Sequence, residues 1–270
     1  MYVRYNVIYV FICYVNYAKI ILLLVLFLWG TADFGQVPTD KKEALLILPG
    51  FGSKIFGTRA LKKYFKQAEM PVYIPKYISR KSIKASKLNL EDYYIQHELN
   101  QYDALHVMSY IVGSWTLNEW IKDYGRRNIK TIIYDRSPLQ ERAPNILLSD
   151  LRLVNAIVFG EITKDFVNTP YPVLLDSSIS TGMFIETYAT NLVRKHQSRA
   201  MEQGPLRWDL ASLKQPVDDY TYLPLNHDQL YTVPEYFGSE VFYFIKHGEF
   251  SSEMKKNQPV ENPFIKRKKK

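Results

Sequence analysis

Cysteine is nearly missing from this chain of 270 residues, with Cys13 as the sole example. One thiol excludes an internal disulfide framework and any zinc site built on cysteines. Glycine and proline are sparse, at 12 and 14 residues, which rules out collagenous and low-complexity classes. The five histidines lack metal-ligand spacing, so neither a metal nor a cofactor is expected. An excess of one charge is missing from the body of the chain as well. The formal net charge is +8, but residues 1–30 carry +2, residues 255–270 carry +6, and residues 31–254 hold 26 basic and 26 acidic groups. A neutral body has no overall pull toward phosphate, which argues against nucleic acid as the partner, although a local patch is not excluded. What remains is 47% hydrophobic and 23% charged, the make-up of one large globular domain with extensions.

Long apolar runs are scarce too. Ile20–Trp29 is ten apolar residues behind Lys19, followed by the small and polar residues Gly30 to Gln36. This pattern fits a signal peptide over residues 1–36 and export of the domain, and it falls short of the roughly 20 apolar residues that span a bilayer. The apolar stretch Tyr2–Tyr17, broken by Arg4, Asn6 and Asn16, would lengthen it into a retained membrane anchor, the alternative reading. Cleavage near Gln36 removes Cys13, which suits an oxidising compartment. Residues 255–270 read as a basic flexible tail, with contact to anionic lipid or nucleic acid as alternatives for Lys266–Lys270. No feature of the sequence fixes the oligomeric state.

Between these ends, over 37–254, short apolar runs alternate with helical segments. Ala44–Leu48, Val72–Ile74, Ala104–Met108 and Thr131–Tyr134 read as strands. Gly57–Ala68, Leu90–Leu99 and Gly113–Tyr124 read as helices. This alternation predicts an α/β fold with a doubly wound, mostly parallel sheet covered on both faces. Residues 145–215 read as a helical insert or cap, with strand candidates at Leu151–Phe159 and Val173–Leu175 and a long helix over Thr181–Glu202. Tyr220–Leu225 then reads as a strand, and Tyr236–Lys246 as a closing helix with Phe237, Val241 and Phe244 inward. Ligands of such sheets sit beyond the strand carboxyl ends. That selects the loops Pro49–Lys54, Ser109–Gly113, Asp135–Pro144 and Asn226–Tyr231.

Four of these stretches together resemble the α/β-hydrolase superfamily, in particular its lipase and esterase branch. Leu46–Gly52 is similar to the strand and glycine turn that supply oxyanion-hole N–H groups. Tyr102–Gly113 resembles the strand, nucleophile elbow and helix, and Asp135-Arg-Ser-Pro138 the turn after the next strand. Pro224–Asp228 is similar to the last strand and catalytic histidine. The likeness covers about residues 43–144 and 218–250, in order, and implies an ester hydrolase with no metal or cofactor.

The elbow departs from the pattern at the reacting atom. In the frame Ser109-Tyr110-Ile111-Val112-Gly113 the small flanking residues remain, but Ile111 stands at the nucleophile position. A hydrocarbon cannot attack a carbonyl, and a β-branched residue conflicts with a strained elbow backbone, so the turn itself is expected to relax. Ser109 lies two residues earlier and Ser114 one residue into the helix. Either would need local reshaping to serve, and their plainer roles are a small turn residue and a helix cap or packing residue.

His227, at the end of a strand, has the position of a general base, with helix capping by Asn226-His227-Asp228 as the plainer reading. His106 reads as a core residue. Asp135 is the first choice of acid and Asp209 the second, both also plausible as caps or ion-pair partners. Asp219 falls at the far end of the sheet, because eight extended residues separate it from His227 by about 26 Å. Phe51, Gly52 and Val112 are the candidate oxyanion or ligand contacts, with Phe51, Tyr110, Trp115, Tyr222 and Tyr231 as aromatic neighbours of the mouth. The expectation is a hydrolase-fold protein without the serine mechanism, binding a small apolar or acyl ligand. The alternatives are an active ester hydrolase using Ser109 or Ser114 with His227, and a membrane-associated scaffold attached through residues 1–30 and the basic tail.

Overall fold

Six segments of buried backbone pair side by side, all parallel: β1 (Glu43–Leu48), β2 (Val72–Tyr73), β3 (Ala104–Ser109), β4 (Ile129–Arg136), β5 (Ser180–Glu186) and β6 (Asp219–Leu223). They belong to a computed structural model that describes residues 42–265. The expected signal peptide or anchor at 1–36 therefore lies outside the described residues. Among the described residues, no helix is long and apolar enough to cross a membrane.

The strand order is β2-β1-β3-β4-β5-β6. From β1 the chain goes to β2 on one side and then to β3 on the other. The crevice between the carboxyl ends of β1 and β3 is where a doubly wound sheet binds ligands.

Both faces of the sheet are covered, so its strands are apolar without alternation. Ala44, Leu46 and Leu48 join one core with Leu90 and Tyr94 of α2 (Ile83–Gln96) and Leu117 and Trp120 of α3 (Ile111–Tyr124). Leu45 and Ile47 point the other way, joining Leu61 and Phe65 of α1 (Arg59–Phe65) and Val241 and Phe244 of the closing helix Gly238–His247. Helix α2 is capped by Ser82, whose hydroxyl accepts the Ala85 N–H at 3.0 Å. The inward set Phe237, Val241 and Phe244 is fully buried, as the sequence suggests.

The segment 145–215 differs most from expectation. Leu151–Phe159 is helical rather than extended, and Val173–Leu175 has no regular structure. The long helix expected over Thr181–Glu202 does not form. Its first part is β5, placed between β4 and β6, followed by short helices at Asn191–Lys195 and Gln197–Met201. Six of the seven β5 residues are buried, and an unbroken buried run shows no periodicity that separates strand from helix. The insert is thus in two parts, one on each side of β5. The first contains α4 (Ala143–Ser149) and α5 (Ile162–Asn168).

The chain end also differs from a flexible tail beginning at 255. Pro263 accepts the Ala189 N–H at 2.9 Å, Lys255 pairs with Asp219 at 3.1 Å, and Phe264 packs on the insert core. Lys266–Lys270 lie outside the described residues.

Candidate functional site

Strand β3 ends at Ser109, and helix α3 begins at Ile111, two residues before the expected Gly113. The single linking residue, Tyr110, is in ordinary extended backbone (φ −74°, ψ 166°). No residue from 109 to 113 has a positive φ, so the turn is unstrained, as a β-branched residue requires. Gly113 has a different reason to be small. A Cβ there would stand 2.4 Å from the Leu48 carbonyl oxygen, because α3 runs close against β1. The small-residue frame of an elbow survives through helix–strand packing.

The two serines point into the protein. Ser109 and Ser114 are both fully buried, and their hydroxyls stand 3.0 Å apart in a mutual hydrogen bond. Ser114 Oγ also lies within bonding distance of the Ser109 and Tyr110 carbonyls, at 3.3 and 3.2 Å. Neither serine lines the cavity beyond the β1 and β3 ends.

That cavity, of about 200 Å³, is bordered by Ile111, Val112 and Trp115 of α3 and by His227. The glycine turn contributes Phe51 and Gly52, and the insert contributes Leu147, Phe159 and Phe166. Its walls are joined by edge-on aromatic contacts, Phe51 to Phe159 at 5.1 Å and Trp115 to Phe166 at 4.9 Å between ring centres. Polar groups on the lining are few. Glu141 is one, and it is held by the buried Arg136, Nε to Oε1 at 2.6 Å.

His227 is the polar group with the most support behind it. Its Nδ1 is 2.6 Å from Glu186 Oε1 and 3.3 Å from Asp135 Oδ2, and both carboxylates are fully buried. Burial works to lower the imidazole pKa. Glu186 first, with Asp135 beside it, outweighs burial and holds it well above the ordinary histidine value. The Glu186 carboxyl is pushed well above the usual range by burial and then by the Asp135 carboxylate, against the pull of His227. Nε2 makes no hydrogen bond among the described residues. It lies 3.7 Å from where a Cβ on Gly50 would be.

Asp135, Glu186 and His227 place ligand-type atoms within 4.8 Å of one another. Two ligands of one zinc ion, each at ~2.0 Å in a tetrahedron, stand about 3.3 Å apart. At 2.6 Å, Nδ1 and Oε1 are instead joined through a proton.

Other sequence candidates fall elsewhere. Asp209 caps a short helix by accepting the Ser212 N–H at 2.9 Å. Asp218 and Asp219 lie at the amino end of the sheet, where Asp218 accepts from Thr181 N at 2.7 Å. His106 is buried beside Glu43, 3.5 Å from Nε2 to Oε2. Tyr222 is on β6 and does not line the cavity, while Tyr110 and Tyr231 pack edge-on against His227 at 5.9 and 5.6 Å. The Tyr231 hydroxyl accepts the Gly50 N–H at 2.7 Å, and a Cβ on Gly52 would meet its ring at 2.2 Å. The sequence does not single out Glu186, because the unbroken apolar run of β5 fits a helix as well as a strand. The one usable signal is length: the stretch from residue 136 to 219 leaves room for a further strand, without saying which of its apolar runs forms it.

No protein-family model matches the sequence, and a search of curated proteins gives no match. Solved structures do match. The chain is similar in fold to α/β-hydrolases. One such structure is an α/β-hydrolase-fold protein from Chitinophaga pinensis, at 11% identity and TM-score 0.48, covering 76% of this chain and 90% of that one. An esterase from Rhodococcus sp. matches at 13% identity and TM-score 0.43 with the same coverage. A putative aryl esterase from Burkholderia cenocepacia matches at 11% identity and TM-score 0.45, over 77% and 91% of the two chains. At such identities the likeness is one of architecture, and the site is read from this chain's own geometry.

Proposed function

We propose that this protein binds a small, largely apolar acyl compound at an α/β-hydrolase-type site that lacks the serine mechanism. The observation that carries the reading is the Ile111 side chain on the wall of the cavity that His227 also lines, while both nearby serines are buried and bonded to each other. A cavity of 150 Å³ takes up benzene, so about 200 Å³ suits a ligand of about eight non-hydrogen atoms. Aromatic and aliphatic walls favour its apolar part. The imidazolium, held charged by Glu186 and Asp135, offers Nε2–H to one acceptor such as a carbonyl oxygen. With a hydrocarbon at position 111, an ester held there meets a donor but no nucleophile.

Two measurements test this. A fluorophosphonate probe is expected to leave the protein unlabelled, and p-nitrophenyl butyrate to turn over no faster than with the His227→Gln variant. Stoichiometric labelling abolished by Ser109→Ala or Ser114→Ala would establish the active-hydrolase alternative. Methyl hexanoate is expected to shift the NMR methyl signals of Ile111 and Leu147, and Ile111→Trp, which fills the cavity, to remove the response.

A further inference from the structure

The balance of charge in the body of the chain conceals a strong separation. Residues 53–84 hold nine Lys and Arg and a single acid, Glu69, while the rest of 31–254 holds 17 basic and 25 acidic residues. All nine basic side chains belong to exposed residues, and none forms an ion pair among the described residues. Six of them are grouped in space. Arg59, Lys62 and Lys76 border one surface cleft, and Lys62 and Lys66 border the next, beside the edge strand β2. Lys54 and Arg80 continue the face toward the cavity. Burial, and after it the nearby Arg80 charge, holds the Lys54 ammonium below its usual value.

Apolar side chains are interleaved with these charges around the cavity mouth. Ile55 and Phe56, 59% and 40% exposed, both line the cavity and lie between Lys54 and Arg59 in the chain. Arg80 donates to the Ala156 carbonyl, which brings the helical segment carrying Leu153 and Ile157, 74% and 64% exposed, to the same side. Leaving so many like charges unpaired beside exposed hydrocarbon is costly for a face that meets only water.

We propose that this face docks on a bilayer rich in anionic lipid, its lysines and arginines on the head groups and Ile55, Leu153 and Ile157 in the acyl boundary. An anionic bilayer matches both components at once. Head groups attract each Lys or Arg near the surface, and aliphatic side chains gain by entering the hydrocarbon edge. Single-stranded nucleic acid would match the charge but would call for free aromatic platforms, whereas Leu153, Ile157 and Ile55 are aliphatic and the Phe56 ring is already stacked on Tyr231, 6.2 Å between ring centres. Docked this way, the cavity mouth faces the membrane, and an apolar ligand passes between the two without crossing water.

The test is flotation of the full chain with two vesicle types, phosphatidylcholine alone and phosphatidylcholine with about one-third phosphatidylglycerol. Binding is expected only to the anionic vesicles and to weaken as salt rises. Lys62→Gln/Lys63→Gln/Lys66→Gln, exposed residues on α1 and at its carboxyl end, should weaken it about a hundredfold. Leu153→Ser/Ile157→Ser should weaken it about tenfold, with no change in the melting curve of either variant. Equal flotation with neutral vesicles, or variants that bind like the parent, would overturn the proposal and assign attachment to the chain ends. Retention on an oligonucleotide column, lost in the triple-Gln variant and unaccompanied by flotation, would overturn it in favour of nucleic acid.

Discussion

His227 lies beside two buried carboxylates, its Nδ1 hydrogen-bonded to Glu186 at 2.6 Å and 3.3 Å from Asp135 Oδ2. Because Glu186 is the largest influence raising the imidazole pKa, Glu186→Gln is expected to lower it clearly, read from the pH titration of the His227 ring signals by NMR. Asp135→Asn should lower it less, since Asp135 Oδ2 stands farther from Nδ1. A histidine that only capped a helix would show neither shift. Residue chemistry was legible here in part. His227, Asp135 and the misfit Ile111 were all indicated by strand ends and loop position. Glu186 was not, because nothing in Ser-Thr-Gly-Met-Phe-Ile-Glu tells a buried strand from a buried helix.

At the scale of elements, helix α3 and the insert decide the shape of the site. Gly113 lets α3 approach β1, so Gly113→Ala drives a methyl group into the Leu48 carbonyl, which backbone cannot easily yield. The expected cost is about 1–3 kcal/mol, measured by denaturant unfolding. The insert is fastened by Arg142, which is 9% exposed. Its guanidinium donates to the carbonyls of Pro138 (3.0 Å), Ala200 (2.8 Å), Gly204 (2.8 Å) and Pro205 (2.9 Å). Arg142→Met leaves those oxygens without their donor, so a loss of about 2–3 kcal/mol is expected. Hydrogen exchange should rise first at residues 200–205, and Lys, lacking the planar fork, should restore little. The strands β1, β3 and β4 and the helices after β1 and β3 were readable because their apolar runs end in turns. The insert was not, because its segments are held by contacts such as Arg142 that lie about sixty residues away in the chain.

Across the whole molecule, the buried cluster couples folding to pH. The folded His227–Glu186–Asp135 cluster keeps a proton that the unfolded chain gives up earlier, so unfolding releases it. The His227 contribution is full below about 6.5 and is lost as pH rises through the elevated folded value. The melting temperature is therefore expected to fall from mildly acidic to alkaline pH. The double variant Glu186→Gln/His227→Gln should flatten that slope relative to the parent.

The sequence by itself determined the architecture and the absence of a hydroxyl at position 111. A run of apolar segments of strand length, broken by glycine and proline turns, admits little besides a parallel sheet covered by helices, and Ile111 lacks a hydroxyl in any conformation. Only the tertiary structure decided that Glu186 joins Asp135 behind His227, which way Ser109 and Ser114 point, and where the positive face gathers. Each of these depends on the distance between residues far apart in the chain, such as Glu186 from His227 or Arg80 from Ala156. Local patterning fixes which face of a segment is buried, but the order in which strands pair fixes what that face meets.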